Sequence, residues 1–269
     1  MKTTIALTML AALPAVLAAC GGGSDGATQS PEPTDGSASN CEADGGSQET
    51  VPLKEAKLNI EHNATDLDTG FQGFIDSEGW QCLEVTGPDG NVLQFEGLGS
   101  LSDLGLTELF FETVEPENAE VPIDEMLSKL PAGDYTIAGP SMINGESSGQ
   151  TEGVALLTDD IPAGPELLTP AEAATVPTTG LVASWGAVSK TITGEDVNII
   201  AYQLIIEKDE EPHPHMIGEI GLSIYVPASV TSLAVPDGFL EPGTAYVWEV
   251  LAIEESGNQT LSTSEFQTE

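Results

Sequence analysis

The sequence predicts an all-β protein made of two tandem β-sandwich domains behind a disordered N-terminal tether. From about residue 51, short runs of alternating apolar and polar residues are separated by turn sequences, a pattern typical of antiparallel sheets rather than of alternating β-α units. Apolar residues make up 40% of the 269 residues, enough for a hydrophobic core. Residues 21–50, in contrast, contain no Val, Ile, Leu, Met, Phe, Tyr or Trp and cannot bury enough surface to fold.

The charge of the chain excludes two classes of partner. The sequence carries 44 Asp and Glu against six Lys and no Arg, a formal net charge of −38. Because so few basic residues cannot neutralise a row of phosphates, we expect no nucleic-acid binding. A basic patch that would hold the protein on a membrane surface is excluded for the same reason.

The N-terminus has the features of a secretory signal peptide over residues 1–19. Lys2 precedes a mostly apolar run of about 15 residues, which is too short for a membrane-spanning helix and ends in small residues. Residues 17–20, Leu-Ala-Ala-Cys, resemble the lipobox of bacterial lipoproteins. The resemblance implies cleavage before Cys20 and acylation of its thiol and its new amine. The alternative is an ordinary secretory peptide followed by a cysteine.

Acylation of Cys20 predicts a lipid-anchored protein of the cell envelope whose first partner is the membrane. Two or three acyl chains anchor a protein stably where a single chain does not. Gly21 occupies the position at which Asp would resemble an inner-membrane retention signal, so the outer membrane is favoured if the host has two membranes. Residues 20–50 then form a lipidated cysteine and a flexible acidic Gly/Ser linker, with an r.m.s. reach of roughly 30 Å.

Two cysteines, Cys41 and Cys82, remain once Cys20 is lipidated. The cell envelope permits disulfides, and two remaining thiols fit one bridge. Such a bridge would fasten the end of the linker to the first domain. The alternative is that both thiols stay reduced.

The first domain is predicted over residues 51–162. Residues 87–91, Gly-Pro-Asp-Gly-Asn, separate two short apolar runs and predict a hairpin. Residues 123–130 carry apolar side chains at helical spacing and predict one short helix. The other strands are predicted around residues 58–60, 71–75, 109–111, 135–137 and 154–157. This half resembles an uncharacterised β-rich region found beside sandwich modules in secreted bacterial proteins, and that resemblance implies no known chemistry.

The second domain is predicted over residues 163–269, after a Pro- and Gly-rich boundary at residues 161–165. It resembles a fibronectin type III module, an immunoglobulin-like sandwich. Its motifs are a Pro-bearing first strand, a strand with a core Trp, a strand with an alternating Tyr, and a tyrosine corner in which the Tyr hydroxyl bonds to upstream backbone. The residues that carry these motifs are Pro170, Trp185, Tyr202, Tyr246 and Trp248. Alternation places Tyr246 and Trp248 inward; the resemblance implies that Trp185 and Tyr202 are core residues too.

The same alternation leaves an apolar outer face on one sheet of the second domain. Ile205, Val247, Leu251 and Ile253 point outward on this pattern. An apolar face of this kind needs a cover. The first domain is one candidate cover, and a partner protein at the cell surface is the other.

The strongest candidate for a metal site is a polar turn in the first domain. Calcium prefers clustered oxygen ligands, and the same residue types also build tight turns without a metal. The spacing does not match an EF-hand, so calcium binding and a plain turn both stay open. The candidate ligands are Asn63, Asp66, Asp68 and Asp76.

No sequence motif predicts catalysis. Residues 145–149 match G-x-S-x-G, but a nucleophile elbow needs a hydrophobic strand before it and a helix after it, and neither is predicted here. His213 and His215 could share a metal, although spacing shows no third ligand. We therefore expect a non-catalytic binding or scaffold module without a cofactor, apart from calcium. A calcium- or glycan-binding surface module and an envelope hydrolase are the alternatives.

Overall fold

The computed structural model describes Cys41 and residues 50–269. The predicted signal peptide, Cys20 and most of the predicted linker lie outside the described residues. Within the described part of the chain, no helix is both long and apolar enough to span a bilayer.

The first half of the described chain consists mainly of β-strands. The elements are β1 (Thr50–Pro52), β2 (Glu55–Asn63), β3 (Asp68–Trp80), β4 (Cys82–Gly87), β5 (Gly90–Glu96), α1 (Ser100–Leu104), β6 (Leu106–Glu112), α2 (Ile123–Leu127), β7 (Gly133–Ile143) and β8 (Glu146–Leu157).

The second half contains strands and no helix among its described residues. The elements are β9 (Leu167–Thr169), β10 (Ala174–Val176), β11 (Val182–Trp185), β12 (Ile199–Lys208), β13 (Gly221–Pro227), β14 (Ser232–Ala234), β15 (Ala245–Glu254) and β16 (Gln259–Thr268). Together with the first half, this strand content confirms the predicted all-β class.

The local predictions for the first half agree with the structure at two points. β4 and β5 form the predicted antiparallel hairpin, which closes at the pair Gly87 and Gly90. α2 begins at Ile123 as predicted and buries Met126, but it ends at Leu127 rather than at residue 130. The helix α1 was not predicted. It buries none of its residues.

The second half is a sandwich of two sheets. β9, β11 and β14 form a three-stranded sheet. β13, β12, β15 and β16 follow one another in the opposing sheet, and β10 pairs in parallel with β16. The Tyr246 hydroxyl accepts a hydrogen bond from the Glu241 backbone N–H at 2.8 Å, which is the tyrosine corner that the sequence predicts. The half therefore has a fibronectin type III-like fold.

Each half has its own hydrophobic core. The first core contains Trp80, Tyr135 and Ile75, and the second contains Trp185, Trp248 and further large side chains. Burial of these side chains drives both halves to fold, because apolar surface removed from water contributes most of the stabilisation.

The two cores share one continuous sheet. β16 pairs in parallel with β2 through Gln259 and Glu61, Thr260 and His62, and Leu261 and Asn63. Thirteen strands are thereby joined in one sheet, and the described residues belong to one compact unit. The predicted domain limits, 51–162 and 163–269, stay predictions.

Candidate functional site

The junction between the two halves is held by a buried asparagine. Asn258 is fully buried, and its Oδ1 accepts the backbone N–H of Ile60 at 2.8 Å. Its Nδ2 donates to the carbonyl oxygen of Thr158 at 2.9 Å and to that of Asp160 at 3.3 Å. One side chain of the second half therefore binds both β2 and the segment that leads out of the first core.

Three glutamates converge beside this junction, and we call them the junction glutamates: Glu61, Glu112 and Glu115. Glu61 lies on β2, Glu112 ends β6, and Glu115 follows three residues later. One carboxylate oxygen of each lies within 4.8 Å of the others. Glu115 reaches this position over Gly70, where an added Cβ would come within 2.6 Å of the Glu115 Cγ. The glycine is therefore needed for the close approach.

Two glutamines connect the junction glutamates to both halves. Gln259, on β16, donates from Nε2 to a carboxylate oxygen of Glu61 and, at 3.1 Å, to the Oε1 of Gln72. Gln72 in turn donates from Nε2 to the Oε1 of Glu112 at 2.7 Å. The Oε1 atom of Glu115 is buried without a hydrogen-bond partner among the described residues.

Burial raises the pKa values of the carboxyl groups around the junction. Desolvation raises the pKa of Glu61 to about 7 and that of Glu115 to about 8, and the charges of neighbouring acids add to both shifts. Glu249, on β15, has a pKa raised to about 7 by desolvation. Asp68 has a pKa raised to about 6 by desolvation, with a contribution from Asp66. These groups therefore bind protons in the neutral range.

Protonation explains how the junction glutamates pack together without a basic partner. In the part of the chain that the structure describes, no Lys or His forms an ion pair with any of them. Like charges at this separation cannot all ionise cheaply in a partly buried site. Carboxylate oxygens are also the ligands that calcium prefers, but acidic groups are abundant on this surface, and their proximity alone does not define a metal site.

The predicted calcium ligands do not come together as a set of four. Asp68 and Asp76 lie eight residues apart on β3, which separates them by roughly 26 Å along an extended strand. Asp76 instead lies 3.8 Å from the Lys54 ammonium. Its inclusion in the metal site was wrong, because the sequence does not show that the turn residues and Asp76 occupy opposite ends of one long strand.

Asn63 and Asp66 lie at a turn that forms its own hydrogen bonds, whereas the Oδ1 of Asp68, at the start of β3, is buried without a hydrogen-bond partner among the described residues. The Oδ1 of Asn63 accepts the backbone N–H groups of Thr65 at 2.9 Å and Asp66 at 3.0 Å. The Nδ2 of Asn63 donates to the Asp66 carboxylate at 3.1 Å. This is an Asx turn, which accounts for the residue types without an ion. Calcium binding by Asn63, Asp66 and Asp68 stays a prediction.

An open depression of about 520 Å³ lies between the halves on the same side as this turn. His62 lines it, and its Nδ1 lies 2.9 Å from both the Asp68 carbonyl oxygen and the Thr69 Oγ1. Burial lowers the pKa of His62, so the imidazole is neutral at pH 7. The residues that line the depression are His62, Asp66, Leu67, Glu117, Asn118, Ala119, Ile123 and Ile192.

The remaining candidate residues lie in ordinary structural positions. Ser147 is exposed at the start of β8, directly after a hairpin turn, so the G-x-S-x-G sequence is not placed between a strand and a helix. His213 and His215 are exposed on one loop, with ring centroids 5.4 Å apart. Leu251, on the apolar outer face, is 4% exposed.

The predicted core residues are buried, and Cys41 and Cys82 form a disulfide. Trp185, Tyr202, Tyr246 and Trp248 are all buried, with exposures between 0 and 2%. The structure joins Cys41 to Cys82 in a disulfide with a Cα–Cα separation of 5.2 Å.

The sequence did not reveal the junction glutamates. Glu61, Glu112 and Glu115 lie on different strands or loops, and their charge does not set them apart among 44 acids. The one available signal was the pair of glycines, Gly70 and Gly73, on β3. Added Cβ atoms there would meet side chains from β6 and its following loop, so both mark close approach across the sheet.

Comparisons with known proteins identify fibronectin type III structures and no family. No family model matches the chain, and no curated protein matches it. A two-domain fibronectin type III segment from chicken tenascin is 12% identical, with a TM-score of 0.29, over 80% of this chain and 99% of that one. The chicken CNTN1 FN1-FN3 domains are 12% identical, with a TM-score of 0.32, over 81% of this chain and 64% of theirs. The strand pairing and the tyrosine corner described above define the class: an all-β protein with a fibronectin type III-like second half.

Proposed function

We propose that this chain is a lipid-anchored protein of the cell envelope whose folded body serves as a non-catalytic binding or scaffold module. The anchor is the acylated Cys20, and the partner of the folded body is a protein at the cell surface. The observation that carries this proposal is the disulfide between Cys41 and Cys82. Structural disulfides persist in oxidising compartments such as the periplasm and the cell surface, which is where a lipidated Cys20 would hold the chain.

The disulfide also determines where the anchored segment meets the body. Cys41 is fastened at Cys82, the first residue of β4, next to the C-terminal end of β3. The second half joins the sheet near the opposite end of β3, because Glu61 and Asn63 pair with Gly70 and Asp68. Ten residues of β3 separate Gly70 from Trp80, with a register shift between Asp76 and Trp80, so these two residues lie at most about 33 Å apart. The fibronectin type III-like half is therefore held away from the anchored end.

This arrangement suits a module that presents its second half to a partner. The continuous sheet and Asn258 couple the halves, so the second half does not hang on an independent linker. A rigid connection lowers the entropy that is lost when the distal half is bound.

The anchor is tested by labelling cells with a fatty acid that carries a bio-orthogonal tag. The parent chain is expected to take up the label and to sediment with membranes, and Cys20→Ser is expected to do neither. Cys41→Ser is the matched control, because it removes a thiol from the same segment and should keep the label. Labelling of Cys20→Ser would refute the lipoprotein proposal.

The binding role is tested with the lipid-free body, residues 41–269, immobilised and exposed to an envelope extract. We expect a protein that is retained by the body and eluted by soluble body in excess. The second half carries the partner surface if Tyr225→Ser, a change at a 65% exposed side chain on β13, weakens retention at least tenfold while Val154→Ser in the first half does not. No competed protein under these conditions would contradict the binding role.

A further inference from the structure

A leucine-bearing loop lies at one end of the first half, and we call residues 97–105, between β5 and β6, the leucine loop. Its three leucines Leu98, Leu101 and Leu104 are 70, 51 and 72% exposed. The helix within it, α1, buries none of its residues. Asp103 is the only charged residue between Gly97 and Thr107, in a chain in which 19% of the residues are charged.

The leucine loop begins next to the disulfide. Cys82 pairs with Glu96 in the β4–β5 hairpin, and Gly97 follows directly. Residues opposite each other in an antiparallel pair have Cα atoms about 5.5 Å apart or less. Added to the 5.2 Å between the Cα atoms of Cys41 and Cys82, this places Cys41 within about 11 Å of Glu96.

Two hydrogen bonds fix the leucine loop at this position. The Gly97 backbone N–H donates to the carbonyl oxygen of Gln81 at 2.9 Å. The Gln81 Nε2 donates to the carbonyl oxygen of Ser102 at 3.1 Å. Gln81 immediately precedes Cys82, so the same short segment holds both the disulfide and the loop. The exposed leucines and the point at which the anchored segment enters the fold are therefore on one end of the molecule.

We propose that the leucine loop inserts its three leucines into the lipid surface to which the chain is anchored. This inference rests on the proposed anchor at Cys20. Twenty residues separate Cys20 from Cys41, and even fully extended they span no more than about 75 Å. If they behave as the flexible coil that their composition predicts, their r.m.s. reach is about 25 Å. The anchor thus keeps the loop at a high effective concentration beside the bilayer.

The chemistry of the loop fits the bilayer interface. Exposed leucines on a surface segment of low charge gain from transfer into the boundary between headgroups and acyl chains. The rest of the body is strongly acidic and gains nothing from contact with anionic headgroups. Insertion of the leucine loop would hold the first half against the membrane and direct the second half, which joins the sheet near the opposite end of β3, outward.

The experiment places tryptophan in the loop and measures its quenching by lipids brominated on their acyl chains. Leu101→Trp is compared with Ile217→Trp, an 89% exposed position in the second half. The native Trp80, Trp185 and Trp248 are buried, and their signal is removed by subtracting the fluorescence of the parent protein on the same vesicles. The protein is held on phosphatidylethanolamine and phosphatidylglycerol vesicles by its own lipid or, separately, by a hexahistidine tag that replaces Cys20 on nickel-chelating lipid.

The added fluorescence of Leu101→Trp is expected to fall at least twofold on brominated vesicles, and that of Ile217→Trp to stay unchanged. Equal quenching at both positions, or none at Leu101→Trp, would overturn the proposal. The tagged form separates the two proposals. If Leu101→Trp is quenched in the tagged form but Cys20 is not acylated in cells, the lipid anchor is refuted and membrane insertion of the leucine loop stands. A dimer of the lipid-free body that is dissociated by combined Leu98→Ser, Leu101→Ser and Leu104→Ser would assign the loop to a second copy instead.

Discussion

A hydrogen bond of 2.8 Å from the Ile60 backbone N–H to the Asn258 side chain joins the two halves of the protein. Ile60 lies on β2, and Asn258 directly precedes β16. The asparagine amide is fully buried, and its Nδ2 also has carbonyl partners in the segment after β8. A buried polar side chain with every bonding group paired fixes one arrangement of its neighbours. The two cores are therefore expected to unfold together.

Removal of the Asn258 side chain should uncouple the halves. Asn258→Ala leaves the Ile60 N–H and two carbonyl oxygens without this partner, and we expect a loss of about 2–4 kcal/mol in the free energy of unfolding. Urea denaturation followed by tryptophan fluorescence measures it. Asn198→Ala is the control, because Asn198 is exposed and bonds only the Glu255 carboxylate. Similar losses in both variants would mean that Asn258 does not couple the cores.

The second core depends on Trp185. This side chain is 2% exposed and packs edge-on against Tyr202, with ring centroids 5.7 Å apart. Trp185→Ala should lower the free energy of unfolding by about 3–5 kcal/mol, because it removes a large buried ring and leaves a cavity. Tyr225→Ala, at a 65% exposed position on the same half, should cost less than about 0.5 kcal/mol. A change below about 1 kcal/mol in Trp185→Ala would show that the side chain is exposed.

The disulfide should be detectable and stabilising. Peptide mapping without reductant is expected to yield one cross-linked peptide that contains Cys41 and Cys82. The bridge closes a loop with a sequence separation of 41 residues, which the chain-entropy relation converts to about 4 kcal/mol of stabilisation. Cys41→Ser should therefore lower the urea concentration at the midpoint of unfolding. Reductant should lower the midpoint of the parent protein to the same value. Complete alkylation of both cysteines without reductant would exclude the bridge.

The raised pKa values of the junction carboxyl groups make the protein less stable as the pH rises. In the unfolded chain a Glu titrates near its ordinary value of 4.5, but the pKa of Glu115 is about 8 in the fold. Between these values the folded state binds more protons, so this contribution is full below about pH 4.5 and lost as the pH rises through 8. Glu61 and Glu249, with pKa values of about 7, act with the same sign. His62 opposes them, because its lowered pKa costs stability below its ordinary value of 6.5.

The glutamate effect is isolated with Glu115→Gln, which keeps a neutral side chain at every pH. Relative to the parent, it should be more stable at pH 8.5 by about 1–2 kcal/mol, after allowance for solvent screening of this partly exposed group, and nearly equal at pH 4.5. Glu146→Gln, on an exposed hairpin, is the control for removing one negative charge. Equal gains in the two variants at pH 8.5 would attribute the effect to net charge.

The two alternatives for the turn, calcium binding and a plain Asx turn, differ in what calcium does: a plain turn predicts no added stability through residues 63–70. Asn63→Ala should cost about 1 kcal/mol, since it removes the acceptor of two backbone N–H groups. At fixed high ionic strength, millimolar calcium should leave the melting temperature of the parent unchanged, because general screening is already complete. A calcium-dependent rise that is abolished by Asp66→Asn would establish the metal site after all. Sodium chloride at the same ionic strength serves as the reference.

The sequence by itself determined the features that depend on neighbouring residues. The hairpin at Gly87 follows from local turn chemistry, and the start of α2 at Ile123 follows from apolar periodicity. The inward positions of Tyr246 and Trp248 follow from the two-residue period of a strand. Each of these signals lies within a window of about ten residues, where backbone geometry alone relates side chains to one another.

Only the tertiary structure decided what happens where distant segments meet. The parallel pairing of β16 with β2 brings Gln259 to Glu61 across almost 200 positions of the sequence. No period or turn motif records such a contact, because it depends on how two cores pack and not on local backbone preference. The same packing buries Asn258, gathers the junction glutamates and raises the pKa values of Glu61 and Glu115. It also leaves the leucine loop exposed, although its leucines alone would suggest a buried segment, since exposure depends on whether another element covers them.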